Sequence, residues 1–123
     1  MKFTLDNPSA DYVFGHYGDG KLKVNQTDHT SSLIIFPDTL LTDWPVTSVE
    51  ELQVSHFDEI VSRNPDIVLL GTGVEQRFPS IEFRRSLVQA GLNLEVMDTA
   101  AACRTYNLLV SEGRDVAAAV IIY

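Results

Sequence analysis

The sequence predicts a single α/β domain over residues 1–123. Apolar and polar residues alternate strand-fashion early in the chain, whereas later on short apolar runs alternate with a helical pattern, the signature of a βαβ unit. Size agrees, because 123 residues at 45% hydrophobic and 21% charged suffice for one core with no metal or disulfide to hold it.

Tyr12 to Tyr17 and Lys21 to Gln26 flank Gly18-Asp19-Gly20, where glycine permits the positive φ of a hairpin turn. In the second arm Leu22 and Val24 alternate with Lys21, Lys23 and Asn25, so that arm has one buried and one solvated face. Leu33-Ile34-Ile35-Phe36 is continuously apolar and stops at Pro37, which predicts a strand covered on both faces. Residues 37–47 show neither period, yet Leu40, Leu41, Trp44 and Val46 carry too much apolar surface for a free linker, and an ordered loop packed on the core is expected. Thr47 with Glu50 and Ser48 with Glu51 match the capping-box spacing and predict a short helical turn. A second helical start at Ser55 puts Phe57, Ile60 and Val61 on one face, and Asn64-Pro65 ends it.

Asp66 to Leu70 then reads as a buried strand, Ser80 to Ala90 as a helix closed by Gly91, and Leu92 to Met97 as a further strand. Asp98 or Thr99 caps a helix running to Glu112, Gly113 stops it, and Val116 to Tyr123 is a last apolar strand. Right-handed crossover makes the strands at Ile67 and Leu94 parallel and close neighbours. Gly71-Thr72-Gly73 and Met97-Asp98-Thr99 then meet at one edge, where open α/β sheets bind ligands.

Nine basic against seventeen acidic residues give a net charge of −8, which opposes approach to nucleic acid or anionic lipid. No apolar stretch reaches the ~20 residues that span a bilayer, so neither a nucleic-acid partner nor membrane insertion is expected. Met1 to Pro8 meets acid and proline before any run long enough for a signal peptide. Cys103 is the single cysteine, for which a reducing cytoplasm is the easier fit; a cytoplasmic protein is expected.

Gly71-x-Gly73 after a strand invites a dinucleotide reading, but Gln76 stands where the third glycine belongs and the helix starts only near Ser80, so no cofactor is expected. His16, His29 and His56 are dispersed without partners at ligand spacing, and no metal site is expected. Cys103 beside Arg104 is in a setting that can lower a thiol pKa, yet Ala100-Ala101-Ala102 points to tight helix packing with Cys103 as a structural residue. No serine or threonine occupies a nucleophile elbow, so no catalytic residue is assigned. Two readings of Arg104 stay open. With the helix terminus at Asp98-Thr99 it can hold a small carboxylate or phosphate. Alternatively Arg104 and Arg114 pair with Glu112, Asp98 or Asp115 and fix the helix ends. The candidate ligand-binding edge is therefore Gly71, Thr72, Gly73, Asp98, Thr99 and Arg104.

The run Gly91 to Ala119, with Met97-Asp98-Thr99, Arg104-Thr105-Tyr106-Asn107 and Glu112-Gly113-Arg114 as its most specific parts, resembles the domain-of-unknown-function family four-nine-eight, the Mth-nine-three-eight-like domain. Ile67 to Gly73 and Trp44-Pro45-Val46 followed by Phe57 agree with it. The resemblance implies a three-layer α/β fold with a central mixed sheet, a last strand antiparallel to its neighbours and an extra β-hairpin layer. It also implies a non-catalytic interaction module with a protein partner, since the family includes a mitochondrial assembly factor for respiratory complex I and a vertebrate protein linked to adipocyte differentiation. That role predicts an exposed apolar patch outside the candidate edge, with Trp44 as one member. The alternative is a small-anion binding protein or an enzyme using that edge.

Overall fold

A computed structural model describes residues 10–122; Met1 to Pro8 and Tyr123, read above, lie outside the described residues. The chain begins with a three-stranded meander, β1 (Phe14–Gly18), β2 (Lys21–Val24) and β3 (Thr27–His29). β1 and β2 join through Asp19-Gly20 with φ of 54° and 72°, the double positive-φ turn whose twist matches the strands it connects. β3 was not expected, because Thr27-Asp28-His29 has no apolar alternation. Its pairing follows from Asn25, at φ 53°, whose side chain accepts the Val13 amide and donates to the Asp11 carbonyl while the chain reverses.

The second sheet holds β4 (Leu33–Phe36), β5 (Thr39–Leu41), β6 (Ile67–Gly71), β7 (Leu94–Met97) and β8 (Val116–Val120) in the order β5-β4-β8-β6-β7. β5 corrects the expected loop: Pro37-Asp38 turns the chain so that Phe36 faces Thr39 and Ile34 faces Leu41, in a strand too short to show a period. Trp44 then turns inward rather than joining an exposed patch. It is 7% exposed, its indole N–H donates to the His56 carbonyl at 2.9 Å, and its ring meets Phe57 edge-on.

The turn expected at Thr47 or Ser48 is a 3-10 turn, Val49–Glu51, in which the Glu51 carboxylate accepts the Thr47 amide and Ser48 makes no side-chain cap. A second 3-10 turn, Val54–Phe57, runs into α1 (Asp58–Arg63), which Asn64 ends at φ 51°. Helix α2 (Ile81–Gln89), capped by Ser80, and α3 (Thr99–Ser111), capped by Asp98, follow the predicted limits.

The expectation for the last strand needs correction. β8 is antiparallel to β4 but parallel to β6, with Ile67 opposite Val116 and Gly71 opposite Val120. α3 carries the chain from the carboxyl end of β7 back along the molecule, and such a crossover delivers a parallel strand. The step from β6 to β7 places α2 on one face, and the return over β6 to β8 places α3 on the other. Because strand side chains alternate, Val68, Leu70, Ala117 and Ala119 meet Phe57, Ile60, Phe83 and Leu87 on the α1/α2 side. Leu69, Ala118 and Val120 meet Ala102, Tyr106 and Val110 on the other, where Phe14, Leu22 and Val24 of the meander complete the cover. Three layers result, and the alanines of β8 let both outer layers approach the sheet closely.

Candidate functional site

The parallel register of β6 and β7 ends at Gly71 opposite Met97, and the two connections leave toward opposite faces. This is the topological switch point of the sheet, the place where open α/β folds leave a crevice. Here the crevice is bridged by the chain itself. The Thr72 amide donates to the Met97 carbonyl and the Thr99 amide to the Gly73 carbonyl, both at 2.9 Å. The Thr99 hydroxyl accepts the Gly73 amide and donates to the Ile121 carbonyl, both at 2.8 Å, and the residue has no exposed surface. Thr72, equally buried, donates its hydroxyl to the Glu75 carbonyl at 2.6 Å and accepts the Arg77 amide at 3.1 Å, closing the loop after β6 on itself. A Cβ on Gly71 would stand 3.0 Å from the Thr99 Cα, so only glycine lets the two segments approach this closely.

The Asp98 carboxylate accepts the Ala101 amide at 2.8 Å, and the Ala102 amide bonds the Asp98 carbonyl. The structure thus brings together Gly71, Thr72, Gly73, Asp98 and Thr99, with the amides of Thr72, Gly73, Thr99, Ala101 and Ala102 bonded within the protein. As a chemical arrangement this is a latch, in which buried polar groups satisfy one another. Arg104 is not brought to it. Exposed, it lines a shallow cleft between β1 and α3 with Gly15, His16, Tyr17, Cys103 and Asn107. Among the described residues, neither Arg104 nor Arg114 forms an ion pair with Asp98, Glu112 or Asp115.

Cys103 is 4% exposed, and burial pushes its thiol up to about 12, outweighing the opposing pull of Arg104. A thiol so held is a poor nucleophile at neutral pH. The sequence reading passed over two neighbours that do more. The Asn107 side chain accepts the Phe14 amide at 2.9 Å and donates to the Phe14 carbonyl at 2.8 Å, and the Tyr106 hydroxyl donates to the Tyr12 carbonyl at 3.2 Å. Together they pin the meander to α3. The available signal was an asparagine in mid-helix, where its side chain competes with helical bonds unless it has a backbone partner elsewhere.

An exposed apolar patch does lie outside the switch-point edge, around α2. Phe83 and Leu87 face the core, while Ile81 and Val88, 57% and 65% exposed, stand on the outer face with Arg84 to one side of them and Arg85 to the other. Phe78, 60% exposed, extends the patch before the helix, and the Arg84 guanidinium lies 5.5 Å from its ring centre.

The model of a family described as "Protein of unknown function (DUF498/DUF598)" matches residues 14–121. The "13 kDa major membrane protein" of Francisella tularensis subsp. holarctica is 33% identical over 122 residues, covering 98% of this chain and 99% of that protein. Among the described residues no helix is long and apolar enough to cross a membrane. The "NADH dehydrogenase [ubiquinone] 1 alpha subcomplex assembly factor 3" of Xenopus tropicalis is 34% identical over 123 residues, 95% of this chain, which spans 65% of that relative's length. The solution structure of a Bordetella pertussis protein described as an Mth938-like domain superposes with a TM-score of 0.80 at 30% identity, covering 98% of this chain and 92% of that one.

Proposed function

The chain belongs to the DUF498/DUF598 family, and we propose that it works as a non-catalytic protein-interaction module of the assembly-factor kind. One observation carries this reading. The edge where an α/β fold would hold a substrate is filled by the protein's own hydrogen bonds through Thr72 and Thr99, while apolar side chains stand exposed on α2. The assembly-factor relatives support it at the level of the family. We further propose a cytoplasmic location, which a single buried cysteine without a disulfide partner supports.

The test pairs capture with a ligand screen. Tagged full-length chain purified from its native cells is expected to carry one protein at a fixed ratio, and Arg104→Ala is expected to leave that complex intact. Carboxylates, phosphate and nucleotides are expected to leave the melting temperature where it is. Stabilisation by one of those anions that disappears in Arg104→Ala, with no protein held at a fixed ratio, would overturn the reading in favour of anion binding at the Arg104 cleft between β1 and α3.

A further inference from the structure

The outer face of α2 combines two properties that rarely share a short helix in so acidic a chain. Of the nine basic residues in the sequence, Arg84 and Arg85 sit side by side in this nine-residue helix, and a third, Arg77, lies just before it. Arg77 is engaged by Glu50 at 3.5 Å and Glu75 at 3.7 Å. Arg84 and Arg85 have no ion pair among the described residues. The Arg84 Nε is covered yet makes no hydrogen bond there, and its guanidinium lies near the Phe78 ring, which restricts it. At 100° per residue Arg85 falls opposite the buried Phe83–Leu87 side, with Ile81 and Val88 both beside it on one side and Arg84 beyond them. Glu82 falls to the other flank. The result is a shallow, open face formed by Ile81, Arg84, Arg85, Val88 and Gln89.

We infer that this face is the docking surface for an acidic amphipathic segment of another protein, whose apolar residues cover Ile81, Val88 and Phe78 while its carboxylates pair with Arg84 and Arg85; the inference rests on the interaction-module reading above. Charge complementarity selects this occupant. A second copy does not fit, since antiparallel pairing of two α2 faces about the midpoint of Ile81 and Val88 would set the arginines of both copies against each other at the centre. An anionic bilayer fits less well than a segment. A planar surface meets the whole flank of a molecule carrying −8, Glu82 included, whereas a segment meets only the stripe.

The experiment uses the full chain and a fluorescent peptide of about 16 residues with leucines at i, i+3, i+4 and i+7 and glutamates elsewhere. Its controls are the same peptide with lysines for glutamates, and a scrambled acidic peptide. Anisotropy is expected to show binding of the acidic amphipathic peptide alone. That binding should fall roughly tenfold or more in Arg84→Glu/Arg85→Glu and in Ile81→Ser/Val88→Ser, and weaken with salt. Circular dichroism and melting checks that both variants fold, as substitutions on an exposed face should allow. No binding of the acidic peptide, equal binding of the lysine peptide, or indifference to both double substitutions overturns the proposal. So does binding to phosphatidylglycerol vesicles without peptide binding, which would make the face a membrane surface, or a dimer in solution lost in Ile81→Ser/Val88→Ser. The native complex separates this inference from the reading beneath it. A complex that survives Arg84→Glu/Arg85→Glu sinks the docking surface alone, whereas wild-type chain that holds no protein sinks the module.

Discussion

Replacing Thr99 by valine preserves the β-branched shape and exchanges the hydroxyl for a methyl, which isolates the chemistry of the latch. Two buried groups lose their partner, the Gly73 amide and the Ile121 carbonyl, each now 2.8 Å from the Thr99 hydroxyl. Leaving such a group unsatisfied costs about 1–3 kcal/mol, so the pair together costs about 2–6 kcal/mol. A domain of this size has a total stability of roughly 6–18 kcal/mol, so the loss is a large fraction of it. Urea unfolding followed by tryptophan fluorescence reads it through Trp44, which is buried. With m of about 2 kcal/mol per molar, the midpoint should fall by roughly 1–3 M with m unchanged. Thr99→Ser keeps the hydroxyl and loses one methyl, so it should cost only about 1 kcal/mol. If Thr99→Val lies within about 0.5 kcal/mol of the wild type, or the serine variant is as weak as the valine variant, the bonds are not what closes the edge.

Gly71→Ala would place a Cβ 3.0 Å from the Thr99 Cα and 3.1 Å from the Val120 side chain; backbone cannot retreat there, and melting should show a loss of about 1–3 kcal/mol. Asn107→Leu should cost a similar amount, because the Phe14 amide and carbonyl both lose a partner, and hydrogen exchange should rise first in β1 rather than in β8. Stability should also fall in alkali. Burial raises the Cys103 thiol from 9.0 to about 12 and lifts the Tyr106 phenol above its ordinary 10.0. The unfolded chain therefore gives up these protons first; the stability they contribute is complete below about pH 9 and is lost as pH rises toward 12. Urea midpoints at a series of alkaline pH values should trace that fall, less steeply in Cys103→Ala and Tyr106→Phe, and a flat wild-type profile would refute the assignment. In the same vein, a thiol reagent at about pH 8 should label Cys103 only after denaturant is added.

Read from residues alone, the second half of the chain was the legible half. Ile67 to Leu70, the Ser80-capped helix and the Asp98-capped helix all announce themselves through period and caps, which are local properties, and the right-handed crossover rule then puts Gly73 and Thr99 at one edge. The short strands β3 and β5 were illegible because three residues cannot display a period; their partners, β2 and β4, make them strands.

Sequence by itself therefore determined the class of fold, the acidic field and the meeting of the two loops at the switch point, since pattern, charge and handedness act along the chain. What occupies that meeting point was decided in three dimensions. Whether Thr99 offers its hydroxyl to a ligand or to Gly73 and Ile121 depends on a carbonyl more than twenty residues away, and whether Arg104 faces the edge or the β1 cleft depends on which side of α3 the sheet covers. Trp44 and Phe78 make the same point in opposite senses. Both are large aromatics in loops, and only the packing of Phe57 against one and the open outer face of α2 beside the other bury the first and expose the second.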